Sequence, residues 1–296
     1  MGPHESVPGR GDRLVGRGEA VVVTGASTGI GRACALRLDW LGFRVFGGVR
    51  KAEDGEALKE HASRRFTYVT MDVTDEWSIG QAARTVEAAV GQRGLRGLVN
   101  NAGIVVASPL EFVPIAELRK QFEVNVVGQI AVTQAFLPML RTGRGRVVNI
   151  GSISGRLPFP LLGPYCASKF ALEALTSTLR MELRPWGIPV SIIEPGGIAT
   201  PIWNKALASG EALSEQLPPG ALDLYGSNAA AQRRRAERSG RSGLPPEAVA
   251  RLVEHALTAK RPKTRYIIGR SAWLGEALRL VPEGWREALV ARAAAR

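Results

Sequence analysis

Short apolar runs rich in β-branched residues recur along the chain, and most are followed by a stretch with helical spacing. Residues 20–24, 44–49, 66–71, 95–100, 146–150, 189–193 and 265–268 read as strands. Residues 32–41, 78–90, 115–137, 165–183 and 246–259 read as helices, the third closing before Pro138. In the first helix, Ala33, Leu36 and Trp40 are spaced to face inward. Strands apolar at nearly every position need cover on both faces, and the alternation with helices supplies it. The pattern predicts an α/β fold, a Rossmann-like three-layer α/β/α sandwich around a mainly parallel, seven-stranded sheet. Ligands of such sheets bind at the carboxyl ends of the strands. The chemically suggestive residues of this chain follow strands.

The repeat divides the chain. Residues 1–18, rich in Gly and Arg, read as a flexible leader, with no apolar stretch of the kind a signal peptide needs. Residues 19–270 read as one catalytic domain. Its regularity breaks at 201–245, around Pro201, Pro218, Pro219 and Gly220. A structureless loop of that length is unusual, so this insertion is expected to hold one or two helices covering the substrate. Residues 271–296 read as a helical extension, with Trp273, Leu274, Leu278, Leu280 and Trp285 expected to pack on the chain's own body.

Composition narrows the function. Apolar residues make up 45% of 296, an ordinary globular share, and no apolar run reaches membrane-spanning length. The net charge of +12 would suit nucleic acid or anionic lipid, but aromatic residues are only 6% and no zinc-finger spacing occurs, so no nucleic-acid partner is expected. Between Arg233 and Arg241 stand five arginines against the single acid Glu237. A solvated face is the plainer reading, and a contact with an anionic substrate or partner the sharper one. Cys34 and Cys166 are the only cysteines, too few for a disulfide framework or metal cluster. They fit a cytoplasmic protein without a metal.

The first strand ends in Thr24-Gly25-Ala26-Ser27-Thr28-Gly29-Ile30-Gly31, which opens a helix. Glycines let a backbone turn sharply against a pyrophosphate, and a helix N-terminus offers unpaired N–H groups. The second strand ends at Val49-Arg50-Lys51 without the carboxylate that would hold a ribose diol. Arg50, with Arg32 beside the turn, suits a 2′-phosphate, so NADP(H) is favoured over NAD(H). Asp72 and Val73 follow the third strand, and Asp72 suits the adenine amine. Asn101, Ala102 and Gly103 follow the fourth, where the cofactor can pass close to backbone. Either segment also reads as an ordinary turn.

Tyr165 and Lys169 lie four residues apart on one helix face. A free phenol has a pKa of about 10, and a nearby cation lowers it, so the pair can act as an acid/base unit. Ser152 follows the fifth strand, where its hydroxyl can reach a substrate oxygen. Asn125 lies inside a predicted helix and reads by itself as a local irregularity.

Thr24-Gly-x-x-x-Gly-Ile-Gly31, Asn101-Ala-Gly103, Asn125, Ser152, Tyr165-x-x-x-Lys169 and Pro195-Gly196 stand in the order and spacing of the classical short-chain dehydrogenase/reductase family, which the chain resembles from Val21 to about Thr200. The runs around Asn125, Gly163 and Leu183 are similar to its retinol and hydroxysteroid dehydrogenase branch. The resemblance implies an oxidoreductase transferring hydride between nicotinamide and an alcohol, ketone or aldehyde. Tyr165 would exchange the proton, and Lys169 would tune it and bind the nicotinamide ribose. Ser152 would polarise the substrate oxygen, and Asn125 would hold a relay water. Pro195, Gly196, Ile198 and Thr200 would line the nicotinamide end. A homodimer or homotetramer is implied as well.

Gly151 replaces a serine common in relatives, and the polar N-terminus argues against carrying over the membrane anchor of that branch. Apolar stretches at 104–106 and 157–162 favour an apolar small-molecule substrate, steroid-, retinoid- or lipid-like. The alternative is a non-catalytic dinucleotide-binding sensor or interaction protein.

Overall fold

In β1 (Ala20–Val23) the side chains alternate between two cores, with Val21 and Val23 in one and Ala20 and Val22 in the other. The same alternation separates Val99 from Leu98 and Val148 from Val147. This two-sided burial is why the strands read as continuous apolar runs. The computed structural model describes residues 15–215, 218 and 220–295, so the first fourteen residues of the expected leader lie outside the described residues.

The other strands are β2 (Arg44–Val49), β3 (Phe66–Thr70), β4 (Gly97–Asn100), β5 (Arg146–Ile150), β6 (Val190–Pro195) and β7 (Arg265–Ile268). They form the expected seven-stranded sheet, parallel throughout, in the order β3-β2-β1-β4-β5-β6-β7. One face is covered by α1 (Gly29–Trp40) and α9 (Pro246–Thr258), which pack together, with Leu58 of α2 (Ala52–Lys59) beside them. The other is covered by α3 (Glu76–Val90), α5 (Gly128–Thr142) and the end of α6 (Gly163–Leu183). The chain winds outward from β1 in one direction and from β4 in the other. A crevice opens between their carboxyl ends.

Three details differ from the sequence expectation. The helix expected over 115–137 is α4 (Ile115–Phe122), a π-helical turn at Glu123–Val127, and α5, which continues through Pro138 to Thr142. Pro138 forfeits one backbone bond, but burial of Met139 and Leu140 holds the last turn in place. Trp40 ends α1 and is 54% exposed, while Ala33 is buried and Leu36 packs on the core. The apolar period simply outlasts the buried face. The polar α2 carried too little periodicity to be seen.

Beyond β6, the stretch 201–245 contains α7 (Ile202–Ser214) and α8 (Ala221–Ser242), which pack on one another. Then come α10 (Arg270–Leu278) and α11 (Glu283–Ala295), the latter against α8. Trp273, Leu274, Leu280 and Trp285 are exposed, so the expectation that they pack on the body is corrected. α10 packs on β7 and α11 on α8, and neither contact covers these side chains.

Candidate active site

After β1 the backbone turns at Gly25, whose φ of 62° lies in the left-handed region. The turn is stitched to the end of β4. The Asn101 side-chain amide donates to the carbonyls of Thr24 (2.9 Å) and Gly25 (3.1 Å). The backbone N–H groups of Asn101 and Ala102 donate to the Thr24 hydroxyl (2.9 and 3.0 Å). A Cβ on Gly31 would stand 2.1 Å from the Gly25 carbonyl oxygen, so that glycine lets α1 press against its own turn. Thr28 caps α1 without a side-chain bond, leaving the first N–H groups of the helix open to an acceptor.

A cavity of about 870 Å³ runs along the strand ends from β2 to α8. Its wall contains the residues that the sequence singled out for cofactor or chemistry, except Gly31 and Arg32. Gly31 closes the turn from behind. At the β2 end stand Arg50 and Lys51, while Arg32 is not part of the wall. Asp72 serves two purposes at once. Its Oδ1 accepts from the N–H and hydroxyl of Thr74 (2.9 and 2.8 Å), making a local turn, and the residue still faces the cavity.

The residues expected to carry the chemistry meet at the ends of β5 and α6. Pro164 starts α6, placing Tyr165 in its first turn and Lys169 one turn later. The Lys169 ammonium donates to the Ile150 carbonyl (2.8 Å) and lies 5.9 Å from the Tyr165 ring centroid. Burial pushes the Tyr165 phenol up to about 12, and hydrogen bonding with Ser152 pulls the other way. Lys169 is pushed down to about 8 by burial, against the pull of Glu173. The expected lowering of the phenol by Lys169 is not found: desolvation dominates, and the opposing pull comes from Ser152. A phenol held neutral can donate a proton.

Asn125 sits in the π turn, fully buried. Its Oδ1 accepts from the Ile104 N–H (2.9 Å), and its amide donates to the Ile104 carbonyl (3.1 Å) and the Ser168 hydroxyl (3.1 Å). Ser168 in turn donates to the Tyr165 carbonyl (2.7 Å). Asn125 therefore fastens the loop after β4 to the Tyr165 helix.

Two supporting layers were invisible in the sequence. Asn100 donates to Asn149 (3.0 Å) and Thr133 (2.8 Å), and Asn149 to Thr176 (2.8 Å), a buried polar ladder under the site. Behind Lys169, Arg265 of β7 pairs with Glu173 (2.7 Å) and with Glu194, and Arg156 pairs with Glu276 (2.7 Å) and approaches Glu194 (3.8 Å). Glu194 is fully buried. The available signal was a polar residue at or near the end of an apolar strand, but its partners lie far along the chain.

The sequence model of the short chain dehydrogenase family matches residues 19–210. The chain belongs to that family. Within this short-chain dehydrogenase, similarity extends to the retinol and hydroxysteroid dehydrogenase branch. It is 40% identical over 260 residues to retinol dehydrogenase 5 of Mus musculus, covering 86% of this chain and 81% of that one. It is 38% identical over 268 residues to an NADPH-dependent 3-dehydrocapnine reductase of Ornithobacterium rhinotracheale, covering 88% and 92%. A short-chain dehydrogenase/reductase from Burkholderia phymatum, solved in complex with NAD, superposes with a TM-score of 0.76 at 27% identity, covering 89% of this chain and 93% of that one.

A nicotinamide dinucleotide fits the cavity of this short-chain dehydrogenase. The Gly25 turn and the open N-terminus of α1 suit a pyrophosphate. The chain is thus an oxidoreductase of a family acting on CH–OH and C=O groups. Among the described residues no helix is long and apolar enough to cross a membrane, and Cys34 and Cys166 are buried free thiols.

Proposed function

We propose that the enzyme is NADP(H)-dependent and reduces an apolar ketone or aldehyde, with Tyr165 as the proton donor. The observation that carries this reading is the convergence of Tyr165, Ser152 and Lys169 with the Gly25 turn and Arg50 on one cavity. Arg50 and Lys51 would hold the 2′-phosphate, and Asp72 the adenine. Asn101, Ala102, Gly103, Pro195, Gly196, Ile198 and Thr200 would border the rest of the cofactor. The bound nicotinamide would supply or accept the hydride. Ser152 would orient the substrate oxygen toward the phenol. Lys169 would keep positive charge close to the ring.

Val105, Leu162, Tyr165, Cys166 and Ala206 form an apolar cluster with Phe159 and Ile202 at the substrate end. Leu162, Tyr165 and Ile202 of that cluster line the cavity and favour a lipid-, retinoid- or steroid-like body. A neutral phenol favours reduction, as does an NADPH preference, and the similar NADPH-dependent reductase supports both. Assembly as a homodimer or homotetramer and residence in the cytoplasm belong to the same reading.

The test is a panel of apolar and sugar-like carbonyls and alcohols, followed by nicotinamide absorbance with both cofactors. Apolar carbonyls should turn over with NADPH at higher kcat/KM than with NADH. Faster turnover with NADH, or turnover of sugars alone, would refute the cofactor or substrate assignment.

A further inference from the structure

The substrate end of the cavity holds a cation without a counter-charge. Arg235, on the inner side of α8, sits over the Phe159 ring at 3.9 Å from its centroid. It is half-buried and lines the cavity. Its neighbour Arg233 pairs with Glu211 and Glu237, but Arg235 has no ion pair or hydrogen bond with any described residue. Burial pushes its guanidinium down, against an opposing pull from Cys166. Burial also pushes the Cys166 thiol up, so it brings no negative charge.

The imbalance extends to the whole wall. Seven basic residues line the cavity (Arg50, Lys51, Lys169, Lys205, Arg235, Arg238 and Arg270) against two acids, Asp54 and Asp72. Both acids belong to the β2–β3 side. Lys205, Arg235 and Arg238, on α7 and α8, face no cavity carboxylate of their own.

The cofactor does not account for Arg235. The 2′-phosphate end lies at Arg50, after β2, whereas Phe159 and Cys166 follow β5. β2 and β5 are separated by β1 and β4, a span of about 14 Å at ordinary strand spacing. A half-desolvated guanidinium has lost water on one face and retains five N–H donors in a rigid fork. Its natural partner is an oxyanion, and a stack on Phe159 fixes the fork for it.

We propose that Arg235 is a specificity residue for an anionic group. The substrate is then an amphiphile, with an apolar body against Leu162 and Ile202 and a carboxylate, sulfonate or phosphate held by Arg235. Arg238 and Lys205 add to the local positive potential. The inference rests on the carbonyl-reductase reading of the cleft and sharpens its substrate class.

Calorimetric titration of the full chain without cofactor separates the two readings, because it needs no turnover. The probes are decanoate, decanesulfonate and decyl phosphate below micellar concentration, against methyl decanoate and decanol. At least one acid should bind about tenfold or more tightly than the neutral probes, and the tightest identifies the group. Arg235→Gln should abolish that preference with unchanged NADPH affinity, and Arg235→Lys should keep part of it. Equal binding of acids and neutral probes, no binding of any, or a preference that survives in Arg235→Gln overturns the proposal. Should Arg235→Gln fail to fold, the wild-type comparison and Arg235→Lys still decide. If Arg235→Gln loses its acid preference but the wild type turns over no carbonyl, the subsite stands and the reductase reading falls.

Discussion

The two ends of the cavity are built by different means. The β1–β4 end is made of backbone: glycine turns, open N–H groups, and an Asn101 side chain that binds carbonyls of the facing turn. The β5–α8 end is made of side chains on helices, an apolar cluster with Phe159 and a stacked Arg235. Backbone can only recognise what every dinucleotide shares, and it tolerates no added atoms. Side chains on α7 and α8 can be exchanged without touching the sheet. The difference explains why one end carries the family's motif and why the other, under the proposed function, would select the substrate.

The sharpest test of that contrast lies where the two ends meet. Tyr165→Phe keeps the ring and removes the proton. Turnover should fall about a thousandfold while NADPH affinity holds, as read by single-turnover kinetics and cofactor titration. A parallel fall in affinity would mean that the phenol belongs to the binding end.

Next in size is Arg265→Met. It removes the near cation of both buried carboxylates and leaves Glu194 only Arg156 at 3.8 Å, so urea unfolding should show a loss of about 3 kcal/mol or more. Gly31→Ala should cost about 2 kcal/mol, since its Cβ would meet the Gly25 oxygen at 2.1 Å. It should also weaken cofactor binding, because the turn must open. A comparable Ala in α8, at Gly226, where a Cβ meets nothing within 4 Å, should leave cofactor affinity unchanged. Equal losses at both positions would erase the contrast between the ends.

Arg50→Gln should reduce kcat/KM with NADPH by roughly tenfold to a hundredfold and leave NADH nearly untouched. An equal loss with both cofactors would remove the 2′-phosphate assignment.

A last effect is in pH. Lys169 is pushed from 10.5 down to about 8 in the folded protein. Between those values the unfolded chain holds the Lys169 proton more often than the folded one. This group therefore makes stability rise with pH across that window. Lys169→Met should remove that contribution, seen as a flatter difference between urea midpoints at the two ends of the window.

Much of the fold could be read because parallel strands buried on both faces are apolar throughout, a signal that needs no tertiary knowledge. β2, β5 and β7 appear at the expected residues. The reading failed where tertiary contacts outweighed local rules, as at Pro138, and where periodicity ran past the buried surface, as at Trp40. Of the site, the motif residues were legible and their supports were not. Asn125 looked like a helix defect, and only the fold brings Ile104 and Ser168 to its amide. Arg235 was one of five arginines in a row of charge, indistinguishable until α8 turned it onto Phe159.

By itself the sequence determined the sheet, the glycine turn and the Tyr165–Lys169 spacing, because each depends on residues close together in the chain. The tertiary structure decided which charges are buried, which are paired and which face the cavity. Desolvation and Coulomb energy depend on distance through space, and that distance is set only when β5, α6 and α8 come together.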